Sequence, residues 1–260
     1  MFATFTHAGD ARVMATAIHQ GHDLRPEVER MIAVDRATRL REEDPHTGDL
    51  AERFGLSAVV HRSRFEVDLN RERERAVYSG PDDAWGLQLW LYPPGENLVA
   101  ESLHLYDGFY SNLAMALDQM VDSHGGFVLY DIHAYNHRRQ GPEGPPGDEM
   151  GNPTVNLGTG SMPERWRPVA DAFLEAMAAH DLQGQPIDAR ENVRFKGRAM
   201  AAFVHERYGD VGCALAIELK KVFMNEWTGE LYPEVHDLLG EALLDTVDPV
   251  IEAWSSNGGK

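Results

Sequence analysis

His19 and His22 sit three positions apart, directly after the apolar run Ala15-Thr16-Ala17-Ile18, with Gly21 between them. A turn closing a strand can present two imidazole nitrogens to one ion, as short histidine spacings do in zinc sites. His133 is a distant candidate for a third ligand. It lies in Tyr130-Asp131-Ile132-His133-Ala134-Tyr135-Asn136, which continues the apolar run Phe127 to Leu129. Asp131 and His133 are two apart and share a face on a strand, where carboxylates can hold a ligating imidazole in orientation. Three protein ligands with a fourth position open is the arrangement of a catalytic zinc. The structural alternative is a set of hydrogen-bonded histidines at strand ends.

Two further groups carry chemistry. Arg62, Arg64, Asn70 and Arg71, with Asp68 among them, form a cluster whose guanidinium forks and amide suit a carboxylate. The alternative is a solvated edge strand held by salt bridges. Glu218 ends the apolar run Leu215-Ala216-Ile217, and an unpaired carboxylate buried there would cost several kcal/mol. It therefore sits at a sheet edge, pairs with Lys220 or Arg198, or serves as general base and then acid beside a metal-bound water. The stretch Asn152 to Gly160 is only superficially like a phosphate loop, since no P-loop lysine follows. No G-x-S-x-G elbow supports a serine hydrolase.

The elements that must position these residues read as an α/β alternation. Short β-rich segments open the chain, with a turn at His7-Ala8-Gly9-Asp10. Pro26, Glu27 and Glu29 mark a helix start, with Val28, Met31 and Ile32 as its apolar stripe. Asp44-Pro45-His46-Thr47-Gly48 reads as a loop, and Ser57 to Val60 as a strand. Ser111 is expected to cap a helix carrying Leu113, Leu117, Met120 and Val121, stopping at Gly125-Gly126. Residues 137 to 163 read as a long Gly- and Pro-rich loop, such as an active-site rim. Helices follow at Trp166 to Met177 and Gly197 to Tyr208, then a strand from Cys213 to Leu219 and one helical region from Glu234 to Trp254. Residues 72 to 100 yield no order. The expected fold is a single α/β domain over residues 1–260, with a mixed, mostly parallel sheet flanked by helices.

Composition narrows the partners. The net charge of -18, from 42 acidic against 24 basic residues, argues against nucleic acid or an anionic membrane. In so acidic a chain an inward arginine cluster points to a small anionic substrate. No run reaches the ~18 apolar residues of a membrane span, and Met1 to His7 lacks the marks of a signal peptide. The one cysteine, Cys213, lies in an apolar run and fits a reducing, cytoplasmic setting.

The segments His61 to Arg71, Asp107-Gly108-Phe109-Tyr110, Asp131 to Asn136, Asn156-Leu157-Gly158-Thr159-Gly160 and Glu218-Leu219-Lys220-Lys221 together resemble the N-formylglutamate amidohydrolase family. That family is similar to zinc carboxypeptidases and aspartoacylase. The resemblance implies a zinc-carboxypeptidase-like fold and Zn2+ bound by His19 and His133. His22 stands where the relatives carry a glutamate, which leaves Asp44 and His7 as substitutes. It implies Asn70 and Arg71 on the substrate carboxylate and Asp68, like Asp131, behind a zinc histidine. It places Arg64 or Arg62 at the scissile carbonyl and Glu218 as the catalytic acid/base. Tyr135 and Asn136 fall on the substrate side. The expected reaction is hydrolysis of an N-acyl amino acid, N-formyl-L-glutamate foremost. The alternatives are a metallocarboxypeptidase or a non-catalytic metal- or anion-binding protein.

Overall fold

In the computed structural model, which describes residues 1–8 and 11–258, strands β2 (Val13–Ala17), β4 (Phe127–Tyr135) and β9 (Gly212–Lys220) lie side by side and parallel. They form the centre of a seven-stranded sheet. β3 (Leu56–Val60) pairs parallel with β2, and β1 (Ala3–His7) closes that edge antiparallel. On the other side β5 (Val155–Gly158) runs antiparallel to β9 and carries β8 (Ala189–Glu191) parallel at the edge. A separate two-stranded ribbon joins β6 (Asp181–Leu182) to β7 (Gln185–Pro186). The mixed, mostly parallel sheet in a single α/β domain is the expected architecture.

Side-chain alternation assigns the faces. Val128, Tyr130, Ile132 and Ala134 of β4, with Cys213, Leu215 and Ile217 of β9, pack into one core. That core is closed by helices α3 (Thr47–Ala51), α5 (Arg167–Ala178), α7 (Pro233–Asp245) and α8 (Val247–Ser256). Phe127 and Leu129 of β4, with Ala214 and Ala216 of β9, face helices α4 (Glu96–His124) and α6 (Ala199–Tyr208). The next inward positions on this second face are Asp131 and His133 on β4 and Glu218 on β9. The apolar face thus turns polar at the carboxyl ends of the parallel strands, where such sheets bind ligands.

Several local expectations are corrected. α4 begins at Glu96, fifteen residues before Ser111, because Phe109, Leu113, Leu117 and Met120 press only its second half onto the sheet. Its first half extends to hydrogen bonds from Arg25 to Ser102 and the Leu98 carbonyl. The helix ends as expected at Gly125, whose φ of 77° is left-handed. Residues 155–158, assigned to the long loop, form β5. The C-terminal helix is two, broken at Thr246, whose hydroxyl donates to the Leu243 carbonyl. Thr47 and Gly48 belong to α3, and only Asp44 to His46 are loop. Gly9 and Asp10 lie outside the described residues.

Residues 61–90 are ordered by a small satellite core of Val28, Phe65, Tyr78, Ala84, Leu89 and Trp90. Trp90 Nε1 donates to the Tyr78 carbonyl at 2.7 Å. Two short helices, α1 (Pro26–Met31) and α2 (Arg36–Glu42), follow β2 in the chain, and α1 contributes Val28 to this cluster.

Candidate active site

Three chain segments converge above β2, β4 and β9. The register places Thr16 beside Asp131 and His133 beside Glu218. His19 follows β2 by one turn. Gly21 holds that turn against the segment after β3: a Cβ there would lie 2.1 Å from the His61 carbonyl carbon, so no other residue fits. The third segment is the bend after α2. The Asp44 N–H donates to the His19 carbonyl at 2.9 Å, and the Asp44 carbonyl accepts from the Thr47 hydroxyl at 2.6 Å. These bonds bring the Asp44 carboxylate under both imidazoles.

Donor atoms of His19, Asp44 and His133 all lie within 4.8 Å of one another, and all three residues are buried. Each ring is anchored from behind. His19 Nε2 lies 2.6 Å from Asp68 Oδ1, and His133 Nε2 lies 3.0 Å from Asp131 Oδ2. Asp131 in turn accepts from the Thr16 hydroxyl at 2.8 Å. With each Nε2 proton shared with a carboxylate, both Nδ1 atoms turn to Asp44 Oδ2, at 3.5 Å from His19 and 3.1 Å from His133. Two nitrogen lone pairs facing a carboxylate oxygen repel one another unless positive charge lies between them. A second proton on a ring or a metal ion supplies it. His19 Nδ1 is buried without a hydrogen-bond partner, as a waiting ligand atom would be. The set of two imidazoles and one carboxylate fits zinc.

The same geometry governs the charges. Burial opposes ionisation of Asp44, but the two histidines outweigh it and hold its pKa well below the usual carboxylate range. Burial also opposes a charge on His133, yet Asp131, and then Asp44, raise its pKa well above the ordinary value. Glu218 keeps part of its surface open to the cavity, but loss of water there still pushes its pKa up to about 7. It makes no ion pair among the described residues.

A cavity of about 110 Å³ lies over these groups. Arg64, Asn70, Arg71, Tyr135 and Asn136 line it. Asp68 is the hub beneath them: it accepts from Arg64 at 2.8 Å, from the Tyr78 hydroxyl, and from the Asn70 N–H at 2.9 Å. Arg71 stacks on Tyr78 at 4.4 Å and pairs with Asp83 at 3.3 Å. The Asn136 amide is fixed between the Arg41 carbonyl and the Lys221 ammonium, and the Tyr135 hydroxyl donates to the Pro153 carbonyl.

Three expected residues stand elsewhere. His22 Nδ1 pairs with Glu43 at 2.8 Å, 28% of its side chain is exposed, and it is not part of the cluster that Asp44 completes. Arg62 does not line the cavity; its guanidinium lies 3.7 Å from the buried Glu66. His7 ends β1 opposite Leu56, the first residue of β3, and so lies at the far edge of the sheet. Arg139, Arg198, Phe195, Trp85 and Lys221 line the cavity and were not assigned there. Asp44 carried a usable signal, a third consecutive acid ahead of a proline. Arg198 carried one too, a cation at a helix start.

The family model of N-formylglutamate amidohydrolase matches residues 11–224. The chain belongs to the N-formylglutamate amidohydrolase family. Among solved structures, an N-formylglutamate amidohydrolase from Ralstonia eutropha superposes with a TM-score of 0.74 at 16% identity, covering 98% of this chain and 99% of that one. A gene product from Agrobacterium tumefaciens follows at 0.64 and 14% identity, covering 98% and 95%. At these identities the likeness shows the fold of this amidohydrolase. A metallo-carboxypeptidase from Burkholderia cenocepacia scores 0.38 at 16% identity over 94% of this chain and 58% of that one, too distant to bear on the fold. No curated protein matches the chain. No helix among the described residues is long and apolar enough to cross a membrane.

Proposed function

We propose that this amidohydrolase cleaves the amide bond of an N-acyl amino acid, with N-formyl-L-glutamate, split to formate and glutamate, as the leading substrate. The observation that carries the reading is the convergence of His19, Asp44 and His133 beside an unpaired Glu218, in a chain of this family. His19, Asp44 and His133 would hold a zinc ion, with Asp44 in the place first given to His22. Bound there, zinc supplies a Lewis acid that polarises the scissile carbonyl and acidifies water.

The chain's own residues do the rest. Asp68 and Asp131 fix the rings of His19 and His133. Glu218 takes the proton of the attacking water and returns it to the departing amine. A pKa held near 7 by burial suits both transfers. Arg64, locked by Asp68 and Tyr78, offers its guanidinium to the developing oxyanion. Asn70 and Arg71 position the α-carboxylate, while Tyr135 and Asn136 form the facing wall. Arg62 has no part in substrate binding in this scheme.

The volume of about 110 Å³ favours a small substrate, against ~300–1,000 Å³ for pockets that take drug-sized ligands. One feature favours a longer one. An open groove of about 720 Å³ adjoins the cavity and shares Asn70, Arg71, Trp85 and Arg198 with it, which a metallocarboxypeptidase would use. Assays with N-formyl, N-acetyl and dipeptide substrates separate the two. Glu218→Gln distinguishes an enzyme from a binding protein of the same fold. The variant is expected to retain zinc at wild-type occupancy while formate release falls by about 10²–10⁴-fold. Undiminished hydrolysis in that variant removes the mechanism.

A further inference from the structure

Lys221 is only 2% exposed, yet it forms no ion pair among the described residues. A charge taken out of water is costly unless it is paired or fully hydrogen-bonded. Here three neutral oxygens satisfy it. The ammonium donates to the Arg41 carbonyl at 2.7 Å, to the Glu43 carbonyl at 2.7 Å and to Asn136 Oδ1 at 3.0 Å. An ammonium has three N–H donors and no acceptor. All three are engaged, so Lys221 lines the cavity with no donor left for a substrate. Its effect on the site must pass through the groups it holds.

Two of those groups belong to the bend that carries Asp44. α2 ends at Glu42 with Glu43 as its C-cap, and the last carbonyls of a helix have no partner within it. The Arg41 carbonyl also accepts from the Asn136 amide at 2.8 Å. Among the described residues, the Glu43 carbonyl accepts from Lys221 alone. That carbonyl and the Asp44 N–H are the two ends of one planar peptide. The N–H end donates to the His19 carbonyl at 2.9 Å. The peptide is thus clamped at both ends, by the turn after β2 and by the residue that follows β9. Rotation of that plane would swing the Asp44 carboxylate away from the two imidazoles. Burial pushes the Lys221 pKa down, and Asp44 is first among the charges that oppose this. β9 also carries Glu218, three residues before Lys221. One side chain therefore ties the ligand bend to the strand that carries the proton-transfer group.

We propose that Lys221 is a positioning residue for the metal site: it locks the Glu43–Asp44 peptide so that Asp44 completes the ligand set of His19 and His133, at a fixed span from Glu218. The assignment rests on the reading that these three residues hold a metal ion, and adds to it what aims the carboxylate.

The test is metal binding by the full chain, without turnover. Zinc affinity is read by competition with a chelator, and cobalt(II) is titrated in its place because its visible absorption reports ligand number and geometry. Lys221→Met keeps an unbranched apolar stem and removes the ammonium. It is expected to lower zinc affinity about 10–100-fold and to alter the cobalt spectrum, both measured on folded protein well below its melting temperature. Lys220→Met makes the same change one residue earlier, where only a hydrogen bond to the Asn152 carbonyl is lost, and is expected to change neither. A lysine that merely supports the fold would lower the melting temperature and leave the affinity and spectrum of the folded chain as in wild type. That result overturns the assignment, as does an equal loss in Lys220→Met. If Lys221→Met does not fold, Lys221→Gln decides, since it fills the site with a shorter, uncharged polar group. Weakened zinc binding by the folded glutamine variant supports the assignment, and wild-type affinity overturns it. If the wild-type chain takes up neither zinc nor cobalt in equimolar amount, the metal reading fails and the assignment falls with it. If wild type and Lys221→Met bind equally well, the metal reading stands and the assignment alone fails.

Discussion

His133 and His205 are buried on the same side of the sheet, and their environments drive them in opposite directions. His133 lies between Asp131 and Asp44, at 3.0 and 3.1 Å. His205, on α6, lies between the Ser161 hydroxyl at 2.9 Å and the Ala214 N–H, which donates to its Nε2 at 3.0 Å. Both lose water. Around His205 that loss dominates and the pKa falls to about 4. Around His133 the carboxylates reverse it. The neutral pocket stabilises an uncharged ring that helps fasten α6 to β9. The acidic pocket stabilises positive charge, whether proton or metal. Burial alone therefore marks neither a site nor a structural histidine; the partners decide.

The largest expected effect comes from removing the ring on the acidic side. His133→Ala is expected to abolish equimolar zinc binding and, with it, formate release, both measurable on the purified protein by metal analysis and a formate assay. His205→Ala should leave metal content intact. Comparable zinc loss in both variants would erase the distinction between the two pockets. A finer test removes only charge. Asp131→Asn keeps the shape but not the negative end behind His133. Zinc affinity is expected to fall about 10–100-fold, read by competition with a chelator. Unchanged affinity would mean that Asp131 serves the fold through Thr16 and not the ligand.

The sequence made some of this visible and hid the rest for physical reasons. The switch from apolar to polar on β4 and β9 is local, so Asp131, His133 and Glu218 could be read from alternation in one strand. Gly125 could be read because it answers a local backbone demand, the left-handed end of α4, whereas the demand on Gly21 comes from His61, forty residues on. The third member of the cluster is not local. Asp44 reaches His19 only because the bend after α2 hydrogen-bonds back to the turn after β2, whereas His22, nearer in sequence, turns outward to Glu43. Spacing could not choose between His22 and Asp44 because a turn permits either direction. The pairing of Arg62 with Glu66, by contrast, is local, between positions four apart. The start of α4 was hidden because its first half has little apolar periodicity and rests on contacts with Arg25.

The smallest effect is on stability and belongs to the neutral pocket. His205 has a folded pKa of about 4, below the ~6.5 of an unfolded chain. Between these values the unfolded state binds more protons, so stability rises with pH across this window and is lost as pH falls from about 6.5 toward 4. From pH 7 to pH 5 the difference amounts to about 2 kcal/mol. His205→Gln keeps a carbonyl oxygen to accept from the Ala214 N–H but cannot take up a proton. Its stability should be lower than wild type at pH 7, through imperfect packing. The gap should close by about that same ~2 kcal/mol at pH 5 in urea melts, because only the wild type loses the His205 contribution. Parallel losses in both proteins would mean that the ring already takes its proton in the folded state, with Ser161 and Ala214 yielding to it. His205 would then resemble His133, and the contrast between the two pockets would come from the metal alone.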